Sequence, residues 1–158
     1  MVSWSNIQLS VRAAAAAVVS LVAAQLLQLE YPIYAFIAAV IVTDLQPSVS
    51  RKLGLRRIAA TVVGALCGAL LSFVLPPGPW GVGAGLFVAM LLAQLLKAGD
   101  GARVAGYICG IVLLDHSAEP WFYAFHRFIE TAIGVLAALS ISYIPKLFDF
   151  DTPSDKSS

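Results

Sequence analysis

Apolar runs separated by strong breakers divide this chain into six segments. They cover about Leu9–Leu29, Pro32–Leu45, Leu55–Leu75, Trp80–Leu96, Ala102–Leu114 and Pro120–Ile144. The third ends at Pro76-Pro77-Gly78-Pro79, which no helix can cross, and Pro145 closes the sixth. A membrane-crossing helix needs about 20 mostly apolar residues. Four segments approach that length, while the second and fifth fall short. The pattern predicts an all-α integral membrane protein with six transmembrane helices.

One phrase occurs twice. Arg57-Ile-Ala-Ala-Thr61-Val-Val-Gly64 returns as Arg127-Phe-Ile-Glu130-Thr131-Ala-Ile-Gly134, 70 positions later. Ala24-Gln25-Leu26-Leu27-Gln28 likewise matches Ala93-Gln94-Leu95-Leu96-Lys97, and Asp44 and Asp115 close the two short segments. Each copy holds three segments. An odd number reverses direction, so the reading is two inverted three-helix repeats, residues 1–75 and 80–148, related by an axis in the membrane plane. Residues 149–158 are polar and read as a disordered cytoplasmic tail.

Composition agrees with a membrane assignment. Of 158 residues, 59% are hydrophobic and 12% charged, with mean hydropathy +0.85. A soluble domain needs more polar surface. No basic-aromatic patch points to nucleic acid. The first apolar run lacks a cleavage site before a polar mature domain, so it reads as a retained helix and not a signal peptide. Cys67 and Cys109 lie in apolar segments without metal-ligand spacing, which assigns no metal, cofactor or redox role. No nucleophile elbow, phosphate-binding loop or zinc-protease motif is present, so the chain does not read as an enzyme.

Charge sets the orientation. Arg51, Lys52, Arg56 and Arg57 crowd the connection between the second and third segments, which places that connection in the cytoplasm. Alternation brings Lys97, Arg103, Lys146 and Arg12 to the same side, with both termini inside. The outer side receives Glu30, Asp115, His116 and Glu119, with Arg127 its one cation. Trp80, Trp121, Phe122 and Tyr123 fall at the outer interface, where amphipathic rings prefer to sit.

The candidate chemistry follows from the repeat. Arg57 and Arg127, expected at the starts of their helices, would attract an anion, one at each mouth of a pathway, with Thr61 and Thr131 one turn deeper. Two alternatives stay open: Arg57 belongs to the cytoplasmic cluster, and Arg127 is neutralised by Glu130 three residues on. Asp44, Asp115, His126 and Glu130 would supply countercharge or proton coupling. A threonine hydroxyl either lines the path or bonds its own i−4 carbonyl. Gln25 and Gln94 are a second matched pair, able to bond across helices. Gly64/Gly68, Gly81/Gly85 and Gly106/Gly110, with Gly134, form small-residue seams for close helix packing.

Tyr34-Ala-Phe-Ile-Ala-Ala-Val-Ile-Val-Thr-Asp-Leu-Gln-Pro47, a basic linker and then Arg57-x-x-x-Thr61-x-x-Gly64-Ala65 resemble the fusaric acid resistance/aromatic acid exporter family, with Ala60 where that family more often has glycine. The resemblance implies a permease or channel exporting small organic anions, typically aromatic carboxylates, in the bacterial inner membrane. It also implies a homo-oligomer, a dimer by analogy with relatives. Those relatives often carry large cytoplasmic domains, and the small size of this chain leaves a second reading: a non-transporting accessory or scaffold subunit of a larger membrane complex.

Overall fold

Proline sets where four of the helices begin. Pro32, Pro47, Pro79 and Pro120 stand at the first turn of their helices, where the missing N–H costs nothing and the fixed φ already suits the helix. The computed structural model describes residues 4–115 and 119–144. The expected tail over 149–158, together with His116, Pro145 and Lys146, lies outside the described residues. Within them the chain is all helical: α1 (Trp4–Leu26), α2 (Pro32–Val42), α3 (Pro47–Leu71), α4 (Pro79–Leu95), α5 (Gly101–Asp115) and α6 (Pro120–Ser142).

Three of these helices, α1, α3 and α6, are long and apolar enough to cross a membrane. At 1.5 Å per residue they reach about 35 Å, more than the hydrocarbon thickness of about 30 Å. α2, with 11 residues, and α5, with 15, do not reach that length.

α3 begins eight residues earlier than the hydropathy predicts, at Pro47 and not near Leu55. Its first turns are polar, so an apolar window misses them. Arg51, Lys52, Arg56 and Arg57 are therefore helical residues and not part of a connecting loop. α1 and α4 end alike. Gln28 and Lys97 take left-handed backbone with φ of 51° and 57°, and the next residue's N–H returns to Ala24 and Ala93 respectively. These are matching Schellman caps.

Packing inverts the arrangement of a soluble protein. Most buried apolar residues are alanines, such as Ala16, Ala35, Ala39, Ala60, Ala93, Ala105 and Ala138, while large side chains such as Leu26, Phe73, Phe87 and Leu95 face outward. Small residues inside and large apolar ones outside is the arrangement that hydrocarbon solvent demands. The chain is an integral membrane protein.

α3 and α6 cross at the centre. Thr61 faces Thr131, and Ser50 faces Ser142, eleven positions earlier on α3 and eleven later on α6, so the two helices run antiparallel. α5 lies along α3 and carries α4; α2 lies along α6 and carries α1. The glycine seams are unequal. A Cβ on Gly64 would run into the backbone of Ala105, and one on Gly134 into the backbone of Ala35. Gly68 meets Val112, Gly85 meets Leu113, and Gly106 meets Met90. Gly81 packs on the Pro76 carbonyl of its own preceding loop, and Gly110 has ordinary room beside Val82. Those two are not tight helix seams.

Candidate functional site

The basic end of the bundle is where α3 begins and α2 and α6 finish. There Arg51 and Lys52 are exposed, but Arg57 turns inward and is only 4% exposed. Ten positions into α3, it sits nearly three turns inside the helix rather than at its start. Arg127 lies two turns inside α6 and is 1% exposed.

The two arginines do not occupy separate mouths; they converge on one hydroxyl. Arg57 Nη2 donates to Tyr107 Oη at 2.6 Å, and Arg127 Nη2 reaches the same oxygen at 3.5 Å. Antiparallel helices bring this about, because each arginine lies one turn before the central threonine of its own helix and extends toward the midplane. The Arg127 guanidinium also lies on the Tyr34 ring, 3.1 Å from its centroid, a cation–π contact in a desolvated setting. Tyr107 lies under both cations, with centroid distances of 5.7 and 5.8 Å.

This arrangement leaves donors over. Arg57 Nε, Arg127 Nε and Arg127 Nη1 are buried without a hydrogen-bond partner. Among the described residues no ion pair neutralises either guanidinium. Glu130 is fully buried and within electrostatic range of Arg127, but makes no direct bridge to it. Its Oε1 accepts from the Tyr31 N–H at 3.0 Å, at the N-terminal cap of α2, while Oε2 has no partner. A carboxylate there is favoured by the positive end of the α2 dipole.

The threonines meet at the crossing. Thr61 donates to the Arg57 carbonyl at 2.9 Å, the i−4 bond expected of a helical threonine, and its hydroxyl stands 3.3 Å from that of Thr131. Both are buried.

Other candidates lie elsewhere. Asp44 Oδ1 accepts from the Gln46 N–H at 3.0 Å, a turn that leads the chain into α3. Asp115 is exposed at the end of α5. Neither aspartate pairs with the arginines. His126 hydrogen-bonds the Phe122 carbonyl through Nδ1 at 3.0 Å and packs on the Phe122 ring, with no hydrogen bond to Glu130. His126, Arg127 and Glu130 lie within electrostatic range of one another but make no direct hydrogen bonds among themselves. Gln25 and Gln94 are both exposed and do not bond across helices.

Three tyrosines complete the site and one buried arginine stands apart from it; none of the four was expected as a site residue. Tyr107 and Tyr34 hold the guanidiniums. Tyr123, expected at the outer interface, is buried, and its ring lies 6.1 Å from that of Tyr31. The available signal was a tyrosine inside each short apolar helix, since a buried phenol needs a partner. The fourth is Arg12, which donates to the carbonyls of Leu45 at 3.1 Å and Ile144 at 3.3 Å, beyond the ends of α2 and α6.

Access to Arg57 is visible from the basic end. A cavity of about 70 Å³ reaches Arg57 between α2, α3 and α5, lined by Ile41, Leu53, Arg56, Asp100, Gly101 and Val104.

Comparison with known proteins places this geometry in a family. The family described as fusaric acid resistance protein-like matches residues 16–141 of the chain. A UPF0421 protein of Staphylococcus saprophyticus is 26% identical over 123 residues, which cover 75% of this chain and 37% of that protein. The chain thus spans just over a third of that relative's length. No solved structure matches.

Proposed function

We propose a function from membership: the chain belongs to the fusaric acid resistance protein-like family, and it acts as a permease or channel that exports small organic anions, aromatic carboxylates among them, across the bacterial inner membrane. The observation that carries this reading is the pair of buried arginines sharing one neutral hydroxyl. Two unpaired guanidiniums in an apolar bundle are costly, and their three unpartnered nitrogens point to an acceptor-rich ligand. A carboxylate offers two oxygens with about four lone-pair sites and the countercharge the pair requires. Thr61 and Thr131 lie at the same level and supply hydroxyls beside the path.

The proposed topology is six traverses in two inverted halves, with the basic end in the cytoplasm. Exchange of α1 with α4, α2 with α5 and α3 with α6 maps every packed pair of helices onto a packed pair, the central α3–α6 pair onto itself. The register agrees residue by residue: Gly64 against Ala105 becomes Gly134 against Ala35, each shifted by 70. Arg51 and Lys52 at the α3 start supply the positive-inside signal. Short helices at corresponding places, here α2 and α5, are a recurrent feature of inverted-repeat transporters.

Flux into liposomes tests the function. Wild-type protein is expected to move small carboxylates, and Arg57→Gln and Arg127→Gln are each expected to abolish that flux while the protein still elutes as a folded species. Undiminished flux in both variants would remove the arginines from the mechanism.

A further inference from the structure

We propose that Tyr31, Tyr34 and Tyr123, latched by Glu130, form the closed outer gate of the anion pathway, and that the cavity at Arg57 is its open inner counterpart. The proposal rests on the reading of Arg57 and Arg127 as the anion site and adds how access to that site is controlled.

The two mouths differ position by position. The contacts of Gly64 with Ala105 and Gly134 with Ala35 set a shift of 70 for α2 against α5 and for α3 against α6. Under that shift Arg57 corresponds to Arg127. The open cavity beside Arg57 is lined by Leu53, Gly101 and Val104. Their counterparts beside Arg127 are Tyr123, Tyr31 and Tyr34. A leucine, a glycine and a valine leave a passage; three phenol rings in the same places fill it.

The rings are in contact. Tyr31 lies 6.1 Å from both Tyr34 and Tyr123, centroid to centroid, and Tyr34 is stacked on the Arg127 guanidinium. The cation on the outer side is therefore covered by an aromatic lid that its partner on the inner side lacks.

Glu130 holds that lid. Its Oε1 accepts the Tyr31 N–H, which ties α6 to the start of α2, the segment that carries Tyr31 and Tyr34. The corresponding residue on α3 is Ala60, which can make no such bond. Opening would release the Glu130–Tyr31 hydrogen bond, lift Tyr34 off the Arg127 guanidinium and turn aromatic side chains that rotate about two angles each. That combination, one latch on one mouth only, is what a two-state access path requires.

The test reads accessibility rather than transport. Thr131→Cys, a near-isosteric change at the midplane, is made in a chain with Cys67→Ala and Cys109→Ala. A membrane-impermeant anionic methanethiosulfonate is then applied to one side of sealed vesicles of known protein orientation. Labelling is expected from the basic side only. Tyr34→Val, Tyr123→Leu and Glu130→Ala each install the residue that the inner mouth carries, so the other half of this chain already accommodates each choice. Each is expected to raise labelling from the opposite side by about ten-fold, as when a minor open state becomes a major one.

Labelling of the starting chain from the tyrosine side overturns the gate. So does failure of all three folded variants to label there, or absence of labelling from either side. Flux measured on vesicles of the same gate variants with Thr131 intact separates the two ideas. An opened gate without carboxylate flux removes the anion reading and leaves the gate; flux with unchanged accessibility removes the gate and leaves the anion reading.

Discussion

A guanidinium inside an apolar bundle is stable where its donors find acceptors, and Arg12, Arg57 and Arg127 meet that condition to different degrees. Arg12 bonds two carbonyls that follow α2 and α6, so its charge also complements the negative ends of both helices. It reads as a structural clamp. Arg12→Leu is expected to destabilise the protein by about 2–3 kcal/mol, the scale of lost charge-assisted bonds, and to lower the unfolding temperature in detergent. Flux per folded molecule should not change, since Arg12 touches neither Arg57 nor Arg127. A variant that kept stability but lost flux would contradict this assignment. Arg57 and Arg127 are satisfied only in part, and that difference was half legible in the sequence. Their identity and equal spacing to Thr61 and Thr131 stood out in the repeated phrase. Their meeting on Tyr107 did not, because it depends on where two long side chains end and on a third helix between them. Glu130 shows the same limit: three positions from Arg127 on one helix, it bonds instead to a backbone N–H on α2.

Helix boundaries and seams were readable where chemistry is local. Prolines marked the starts of α2 and α6, and Pro76-Pro77 confined α3, because each acts on its own backbone. The start of α3 was missed, since Arg51, Lys52, Arg56 and Arg57 lower the hydropathy of turns that are nonetheless helical. Small-residue spacing located possible seams but could not rank them. The structure ranks them by what a methyl group would meet. At Gly64 and Gly134 it would meet backbone, which moves only if α3 leaves α5 or α6 leaves α2. At Gly110 the nearest atom is Val82 Cγ1 at 3.6 Å, an ordinary contact. Gly64→Ala and Gly134→Ala are each expected to cost about 1–3 kcal/mol or more. Gly110→Ala should be neutral or stabilise by up to about 1 kcal/mol through helix propensity. Unfolding midpoints in detergent separate these outcomes, and equal effects at Gly64 and Gly110 would remove the distinction between seam and bystander.

At the scale of the whole molecule, the proposed two-fold exchange of helix pairs has to accommodate α2 and α5, which are too short to cross by themselves. Short helices are tolerable in hydrocarbon where neighbours cover their ends. α2 packs against α1 and α6, and α5 against α3 and α4. In the proposed topology the short helices complete a traverse together with their connecting segments. The proposed six-traverse topology makes a sharp demand on those segments. Val74, between α3 and α4, and Leu27, after α1, are exposed and belong on the outer side. Asp100, between α4 and α5, is exposed and belongs inside with Arg51. Single cysteines at 27, 74 and 100, with Cys67 and Cys109 replaced by alanine, should report this with an impermeant thiol reagent on intact cells. Leu27→Cys and Val74→Cys are expected to label, and Asp100→Cys only after the membrane is opened. If only α1, α3 and α6 crossed, three traverses would put the two ends of the chain on opposite sides. α3 would still join Arg51 on one side to Val74 on the other, but α4 would no longer carry the chain back, so Asp100→Cys would label together with Val74→Cys on intact cells. That result would remove the inverted repeat, and with it the correspondence between the two mouths.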